Sequence, residues 1–208
     1  LLDMSLYTDV LAQAKYPAAA PYPNAVYLYG DDWIDMWKIW SDERQERLKY
    51  SEKIDGDKLS RFFGKTASAF LTNSEGENRI YSPVNVYVAL SMLAEISGGE
   101  SRKQILELTE ADSIEKLRTQ VSSLWKLLYR NDGAGDTVLA NSLWINKGIE
   151  INPDAANRVA EEYFASVYRG DTASEEPLPA MKKWLNDQTG GLLEYSVNNF
   201  TLSADTVM

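Results

Sequence analysis

Residues 138–146 alternate between two apolar faces, and this pattern constrains the fold more than any other feature of the sequence. One face carries Val138, Ala140 and Trp144, and the other carries Leu139, Leu143 and Ile145. Successive side chains of a strand point to opposite faces, so the pattern predicts a strand that is covered on both sides. We therefore expect Val138–Asn146 to lie inside a sheet, between two layers.

An internal strand needs a strand on each edge, because its backbone N–H and C=O groups must be paired. The other strand candidates are short: Arg79–Tyr81, Ser166–Arg169 and a start at Thr206–Met208. The sequence thus predicts a chain that is incomplete by itself. We expect it to pair with further polypeptide, or otherwise to aggregate or oligomerise.

Seven segments have the apolar spacing or the boundary residues of helices. They are Asp31–Tyr50, 57–71, Pro83–Ile96, Ser101–Leu108, 112–128, 153–164 and Pro179–Thr189. Ser101, Asp112 and Asn152 are the predicted capping residues of three of them. The helix that starts at Pro83 is apolar nearly all round, which predicts a central, buried helix. Residues 16–30 carry three prolines, which favours an extended segment.

Composition excludes several kinds of chemistry. The 208 residues include no His and no Cys, so histidine-based triads, thiol redox centres and zinc fingers are unavailable. A net charge of −10 opposes binding to nucleic acid or to anionic lipid surfaces. No apolar stretch reaches the roughly 18 residues of a membrane span. We predict no cofactor and no metal.

Three groups of residues suggest functions that a simpler structural role also explains. Neighbouring acids invite a glycosidase interpretation, but adjacent carboxylates are more typical of solvated or helix-capping residues. Three tryptophans could stack on carbohydrate, although helical spacing favours packing contacts. The sequence 199–201 fits a glycosylation pattern that is short and unspecific. The residues concerned are Asp31, Asp32, Glu175 and Glu176, then Trp33, Trp37 and Trp40, then Asn199.

Three ordered stretches of the sequence resemble the serpin family. Residues 78–83 (NRIYSP), the apolar helix and residues 99–106 (GESRKQIL) resemble the family's helices B and C with the preceding strand. Residues 139–148 (LANSLWINKG) resemble strand 2 of its sheet A, and residues 184–191 (WLNDQTGG) resemble the end of its helix F. The resemblance implies an α+β, helix-rich and incomplete serpin fold, with the helices A to F region, part of sheet A and a short strand of sheet B.

The resemblance also implies a division of the chain and a set of site residues. Residues 57–208 would be the N-terminal half of a serpin domain, and residues 1–56 an extension reminiscent of some bacterial members. Ser82, Asn85 and Asn141 would lie in the shutter region, where sheet A opens. Trp144 and Trp184 would pack beneath the sheet. Asn85 stands where many members have a second serine.

The function that the resemblance implies is suicide inhibition of a serine or cysteine protease, in which a cleaved reactive loop inserts into sheet A. In the family this loop lies near the C-terminus, so no reactive-loop or catalytic residue is named in this chain. A non-inhibitory serpin used for binding or structure is the alternative. The expected partners are the protease and the C-terminal remainder of the serpin, and the expected location is extracellular or at the cell surface after export.

A further serpin property concerns polyanions. Four basic residues, Lys116, Arg118, Lys126 and Arg130, lie in the region that binds polyanions in some serpins. They mostly lie away from the apolar stripe of their helix, which is typical of an ordinary solvated face. Activation by heparin is therefore disfavoured.

Overall fold

The computed structural model describes residues 8–23, 31–72, 76–172, 174, 176–196 and 201. The chain forms two compact units: a sheet unit made of residues 1–15 and 140–208, and a helical unit made of residues 16–139. The elements are β1 (Asp9–Ala12), α1 (Asp31–Leu48), a 3₁₀ helix (Lys49–Lys53), α2 (Gly56–Leu71), α3 (Pro83–Ile96), α4 (Gly99–Leu108), α5 (Ile114–Leu128), β2 (Arg130–Asn131), β3 (Asp136–Thr137), β4 (Asn141–Asn146), α6 (Pro153–Glu162), β5 (Ala165–Gly170) and α7 (Leu178–Gln188).

The helical unit is organised around α3. Pro83 occupies a first-turn position, and the Ser82 hydroxyl accepts a hydrogen bond from the Asn85 N–H. Helices α2, α4 and α5 pack against α3, and the Phe62 and Tyr87 rings meet edge to face. Six α3 residues are buried, including Tyr87, whereas Ala89 is exposed. The predicted central helix is therefore present, with one side covered by the described residues.

Two predicted helix starts are displaced. Helix α4 begins at Gly99, two residues before the predicted cap Ser101, because Gly99 adopts a positive φ that lets the chain turn directly after α3. Helix α5 is capped by Ser113, whose hydroxyl accepts from the Lys116 N–H. The predicted cap, Asp112, instead forms ion pairs with Lys58 and Lys116. The cap of α6 at Asn152 is confirmed.

The sheet unit contains a three-stranded sheet with the order β1-β5-β4. Strands β4 and β5 are parallel and are connected through α6, as parallel neighbours require a long crossover. Strand β1 pairs antiparallel with β5 and has no counterpart in the sequence prediction. The predicted strand at 166–169 is confirmed as β5, and the predicted strand at 138–146 is confirmed from Asn141 onward as β4, while residues 138–140 precede it without strand structure.

One predicted strand is wrong. Residues Arg79–Tyr81 are not a strand and belong to neither sheet of the described residues. Tyr81 instead stacks its ring on Phe70 of α2. The candidate at Thr206–Met208 lies outside the described residues.

Candidate functional site

The centre of the sheet unit is a stack of two aromatic rings on neighbouring strands. Trp144 of β4 stands opposite Tyr168 of β5, and the ring centroids are 4.4 Å apart with 24° between the planes. The Trp144 Nε1–H donates to the Ser142 hydroxyl at 2.8 Å, so the buried indole keeps a hydrogen bond. Burial raises the pKa of the Tyr168 phenol above its ordinary value.

Helix α7 covers this aromatic stack. Ala180 is fully buried against it, and Met181 and Trp184 pack at its side. A small residue at 180 lets the helix approach the rings closely, while Met181 fills the irregular space beside them. Trp144 and Trp184 therefore meet in one apolar cluster under the sheet.

The opposite face of β5 is also buried. Ala165 and Val167 alternate with Tyr168 along the strand and are fully buried, and α6 packs against this strand. Three residues of β4, Leu143, Trp144 and Ile145, are buried as well. The predicted burial of both faces of β4 is therefore confirmed.

The two edges of the sheet differ. The strand order places β5 in the centre, with the short strand β1 at one edge and β4 at the other. Among the described strands, β4 pairs with β5 alone. Within the described residues, one edge of β4 thus has no strand beside it. Such an edge is a template on which a further strand can add.

The predicted shutter residues fall in both units. Ser82 and Asn85 are exposed and are brought together at the first turn of α3 by the capping hydrogen bond. Asn141 is half-buried at the start of β4, in the sheet unit. The proposed role of the three residues in sheet opening stays a prediction.

A profile of the serpin (serine protease inhibitor) family matches residues 58–208. The chain belongs to the serpin family. The match covers nearly three quarters of the chain.

Curated relatives and solved structures agree with this assignment. The chain is 27% identical to Serpin-ZX of Arabidopsis thaliana over 127 residues, covering 59% of this chain and 32% of the relative. It is 26% identical to the leukocyte elastase inhibitor of Xenopus tropicalis over 137 residues, covering 62% and 36%. It is 22% identical to the probable non-inhibitory serpin-Z5 of Arabidopsis thaliana over 130 residues, covering 58% and 30%. The chain thus spans about a third of the length of these relatives.

The structural comparison supports the fold. Arabidopsis AtSerpin1 in its native stressed conformation superposes with a TM-score of 0.61 at 23% identity, over 77% of this chain and 41% of that chain. The predicted α+β serpin fold, helix-rich and partial, is therefore confirmed. The relatives named here come from plants and animals, and they give no support to the predicted bacterial origin.

The four basic residues considered for polyanion binding are all engaged with other groups of the helical unit. Lys116 pairs with Asp112 at 2.9 Å, Arg130 pairs with Asp132 at 2.7 Å, and the Lys126 ammonium lies over the Tyr50 ring. Arg118 is not the solvated residue that the helix pattern predicted. Its guanidinium makes three hydrogen bonds of 3.0–3.1 Å to the Glu95 carboxylate, which is 2% exposed.

The tryptophans of α1 have unequal surroundings. The Trp40 Nε1–H donates to Asp132 at 2.9 Å, and its ring meets Tyr22 edge to face, whereas Trp37 is 48% exposed. The predicted helix is confirmed, but its apolar stripe is only partly covered by the described residues, since no residue of α1 is fully buried. Trp33 is half-buried.

The paired acids have ordinary positions. Asp31 and Asp32 are exposed in the first turn of α1, where carboxylates favourably oppose the helix dipole. Glu176 is exposed in the sheet unit. Glu175 and Asn199 lie outside the described residues. Within the described ranges, no group of three His, Cys, Asp or Glu residues could hold a metal, and no helix is long and apolar enough to cross a membrane.

Sequence reasoning missed Tyr168 as the partner of Trp144 and missed Asp132 entirely. Tyr168 lies in a predicted strand, but the parallel register that places it opposite Trp144 could not be read from spacing. Asp132 binds Arg130, Trp40 and the N–H groups of Ala134 and Gly135 in the turn between β2 and β3. An Asp followed directly by Gly133 is a turn signal that would have indicated it.

Proposed function

We propose that the chain is part of a serpin-type suicide inhibitor of serine or cysteine proteases. The reactive loop would be supplied by polypeptide outside these 208 residues. The observation that carries the proposal is the serpin family match over residues 58–208, which includes a sheet buried on both faces. Membership of the serpin family makes loop insertion the function for which such a sheet is suited.

In this proposal the sheet must gain strands without losing its packing. The aromatic stack and α7 lie on one face of β4 and β5, so strand addition in the plane of the sheet leaves those contacts in place. Trp144 and Trp184 would hold the face together during insertion. Ser82, Asn85 and Asn141 would set how readily neighbouring strands part.

The test uses the chain joined to the polypeptide that carries the reactive loop. Mixed with trypsin-, subtilisin- and elastase-like proteases, the protein should form a covalent complex that survives boiling in detergent. A matched variant with two charged residues in the loop hinge should be cleaved without trapping the protease, because charged hinge residues oppose insertion. Normal cleavage of the unmodified protein with no stable complex would reject the inhibitory function.

A non-inhibitory serpin is the second candidate, and the resemblance to a relative named as probably non-inhibitory favours keeping it. The hinge sequence separates the two. Small residues such as Ala, Ser and Thr favour insertion, and bulky or charged residues oppose it. A protein of this second kind would be cleaved without gaining the thermal stability that accompanies strand insertion.

The proposed partners are the target protease and the C-terminal remainder of the serpin. Nucleic acid is a poor partner for a chain with a net charge of −10. The Arg118 guanidinium is bound to the buried Glu95 carboxylate, and Lys116 and Arg130 each have a carboxylate within 3 Å, which argues against a free basic surface for heparin-type polyanions. Export to the extracellular space or the cell surface remains part of the proposal.

A further inference from the structure

The outer edge of β5 is covered by a segment from the start of the chain. Strand β1 pairs antiparallel with β5, with Asp9 opposite Arg169, Val10 opposite Tyr168 and Ala12 opposite Val167. The register slips between Val10 and Ala12, which is a β-bulge. Thr8 and Ala12 are buried, whereas Val10 is 51% exposed.

Two side-chain contacts fix this register. The Asp9 carboxylate pairs with the Arg169 guanidinium at 3.0 Å. Beyond the end of β1, the Ala14 N–H donates to the Ser166 hydroxyl at 3.2 Å, and Ser166 is buried. Residues 8–14 thus contact β5 along most of its length through backbone pairing, one ion pair and one side-chain hydrogen bond.

The covered strand is one that needs protection. β5 has the sequence ASVYRG, and its first four residues are all buried. Valine and tyrosine favour strands, and an apolar strand with an open edge is a template for strands of other chains. Without residues 8–14, the outer edge of β5 would present unpaired N–H and C=O groups.

The covering strand is itself a poor template. β1 has four residues, contains a bulge and carries a charged Asp9 at its start. Short length, bulges and charges are the features by which natural sheets keep edge strands from pairing further. The edge therefore ends at β1 and does not continue.

The segment belongs to the same chain as the strand it covers. A covalently attached segment pairs intramolecularly, so it competes well with a strand from a free molecule. Residues 8–14 should therefore pair with the outer edge of β5 in preference to a strand of a second molecule.

We infer that the outer edge of β5 is a strand-addition surface whose built-in occupant is residues 8–14 of the same chain. When that segment is displaced, the partner that fits the edge is β5 of a second copy, which offers the same apolar strand. This inference rests on the β1–β5 geometry and does not depend on protease inhibition.

The first experiment compares one charge placed on the two sides of β1. Ala12→Glu puts a carboxylate at a buried position and should displace the segment, whereas Val10→Glu puts it at an exposed position of the same strand. Hydrogen exchange of the β5 amides should be about tenfold faster in Ala12→Glu than in Val10→Glu. Sedimentation should show a larger mean mass for Ala12→Glu than for the parent chain or the control.

The second experiment locks the segment in place. The chain has no Cys, so Asp9→Cys together with Arg169→Cys creates a single pair of thiols on facing strand positions. Oxidation should give a disulfide within one chain, at the monomer mass on a non-reducing gel. In a chain that also carries Ala12→Glu, the oxidised disulfide should return the exchange rate of the β5 amides and the mean mass in sedimentation to the values of the parent chain. Reduction of the disulfide should abolish this rescue.

Two results would overturn the inference. One is equal β5 exchange and equal mass for Ala12→Glu and Val10→Glu. The other is a disulfide that forms mainly between chains, which would mean that residues 8–14 are not the occupant of their own edge. If Ala12→Glu does not fold, the test is the Asp9→Cys/Arg169→Cys variant alone. Its β5 amides should exchange more slowly in the oxidised than in the reduced protein, and equal rates would overturn the inference.

Discussion

The two units of this serpin chain are stabilised by different kinds of interaction. In the helical unit, buried polar groups are joined by directional bonds: Arg118 holds the buried Glu95, and the Gln120 amide donates to the buried Tyr87 hydroxyl at 2.7 Å. In the sheet unit, the centre is an aromatic stack under α7, and ion pairs such as Asp9–Arg169 lie at the surface.

The difference matters for what each unit can do. Buried ionic and hydrogen-bonded groups tolerate little displacement, because each one left unpaired costs about 1–3 kcal/mol or more. Apolar contacts on a sheet face are less directional, so strands can be added at an edge without breaking a buried polar bond. Displacing buried groups should therefore cost more in the helical unit than in the sheet unit.

The largest expected effect comes from the aromatic stack. Trp144→Ala removes a side chain that is 8% exposed and stacked on Tyr168, and should lower the free energy of unfolding by about 4 kcal/mol. Trp37→Ala, in the exposed part of α1, is the matched control and should change stability by about 0.5 kcal/mol or less. Urea unfolding followed by circular dichroism measures both. A loss below about 1 kcal/mol for Trp144→Ala would show that the stack is not the centre of the unit.

A slightly smaller effect should come from the buried ion pair of the helical unit. Arg118→Ala leaves the Glu95 carboxylate buried without its guanidinium, which should cost about 3 kcal/mol. Lys116→Ala, on the same helix, breaks only an exposed pair with Asp112 and should cost about 0.5 kcal/mol or less.

A double variant sharpens this contrast. Glu95→Met with Arg118→Met removes both charges together, so no unpaired charge is left in the interior. Its stability should recover most of the loss measured for Arg118→Ala. If the double variant is as unstable as the single one, the cost lies in lost packing and the directional bond is not what stabilises the unit.

The sequence predicted the positions of helices and strands better than the contacts between them. Strand β4 was recognisable because both of its faces are apolar, and most helices were recognisable from apolar spacing and from residues such as Pro83 and Asn152. These are local signals. Trp144 stands opposite Tyr168 because β4 and β5, which α6 connects, pair in one particular parallel register. No local sequence signal specifies that register.

Strand β1 illustrates the same limit. Asp9–Ala12 has only four residues and no turn signal beside it, and its partner β5 lies about 160 positions later in the chain. The predicted strand at Arg79–Tyr81 fails for the opposite reason. It has suitable residues but no described strand beside it, and strand structure exists only through pairing.

The pH dependence of stability should report a second polar centre of the helical unit. Burial alone would raise the pKa of Asp132, but hydrogen bonds from Arg130, Trp40 and the Ala134 N–H lower it to about 2. A lowered folded-state pKa means that the stabilisation is complete above the unfolded value of about 4 and is lost as the pH falls through about 2.

The measurement is the difference between parent and Asp132→Asn. At pH 6 the variant should be less stable by about 2 kcal/mol, and the difference should shrink steadily between about pH 4 and pH 2. Glu150→Gln, at an exposed loop position, is the control and should show little difference at any pH. A difference for Asp132→Asn that is constant with pH would mean that ionisation of this carboxylate is not what stabilises the turn.

The smallest expected effect concerns the predicted shutter residue Ser82. Its hydroxyl caps α3, and Ser82→Ala should cost about 1 kcal/mol, close to the cost of Ser113→Ala at the cap of α5. Ser82→Asp keeps an acceptor for the Asn85 N–H and should restore stability.

The same pair of variants separates the two roles of Ser82 in the protein that carries the reactive loop. If Ser82 acts only as a cap, Ser82→Asp will trap protease as the parent does. If it also controls how strands part, stability will return while the trapped fraction stays altered.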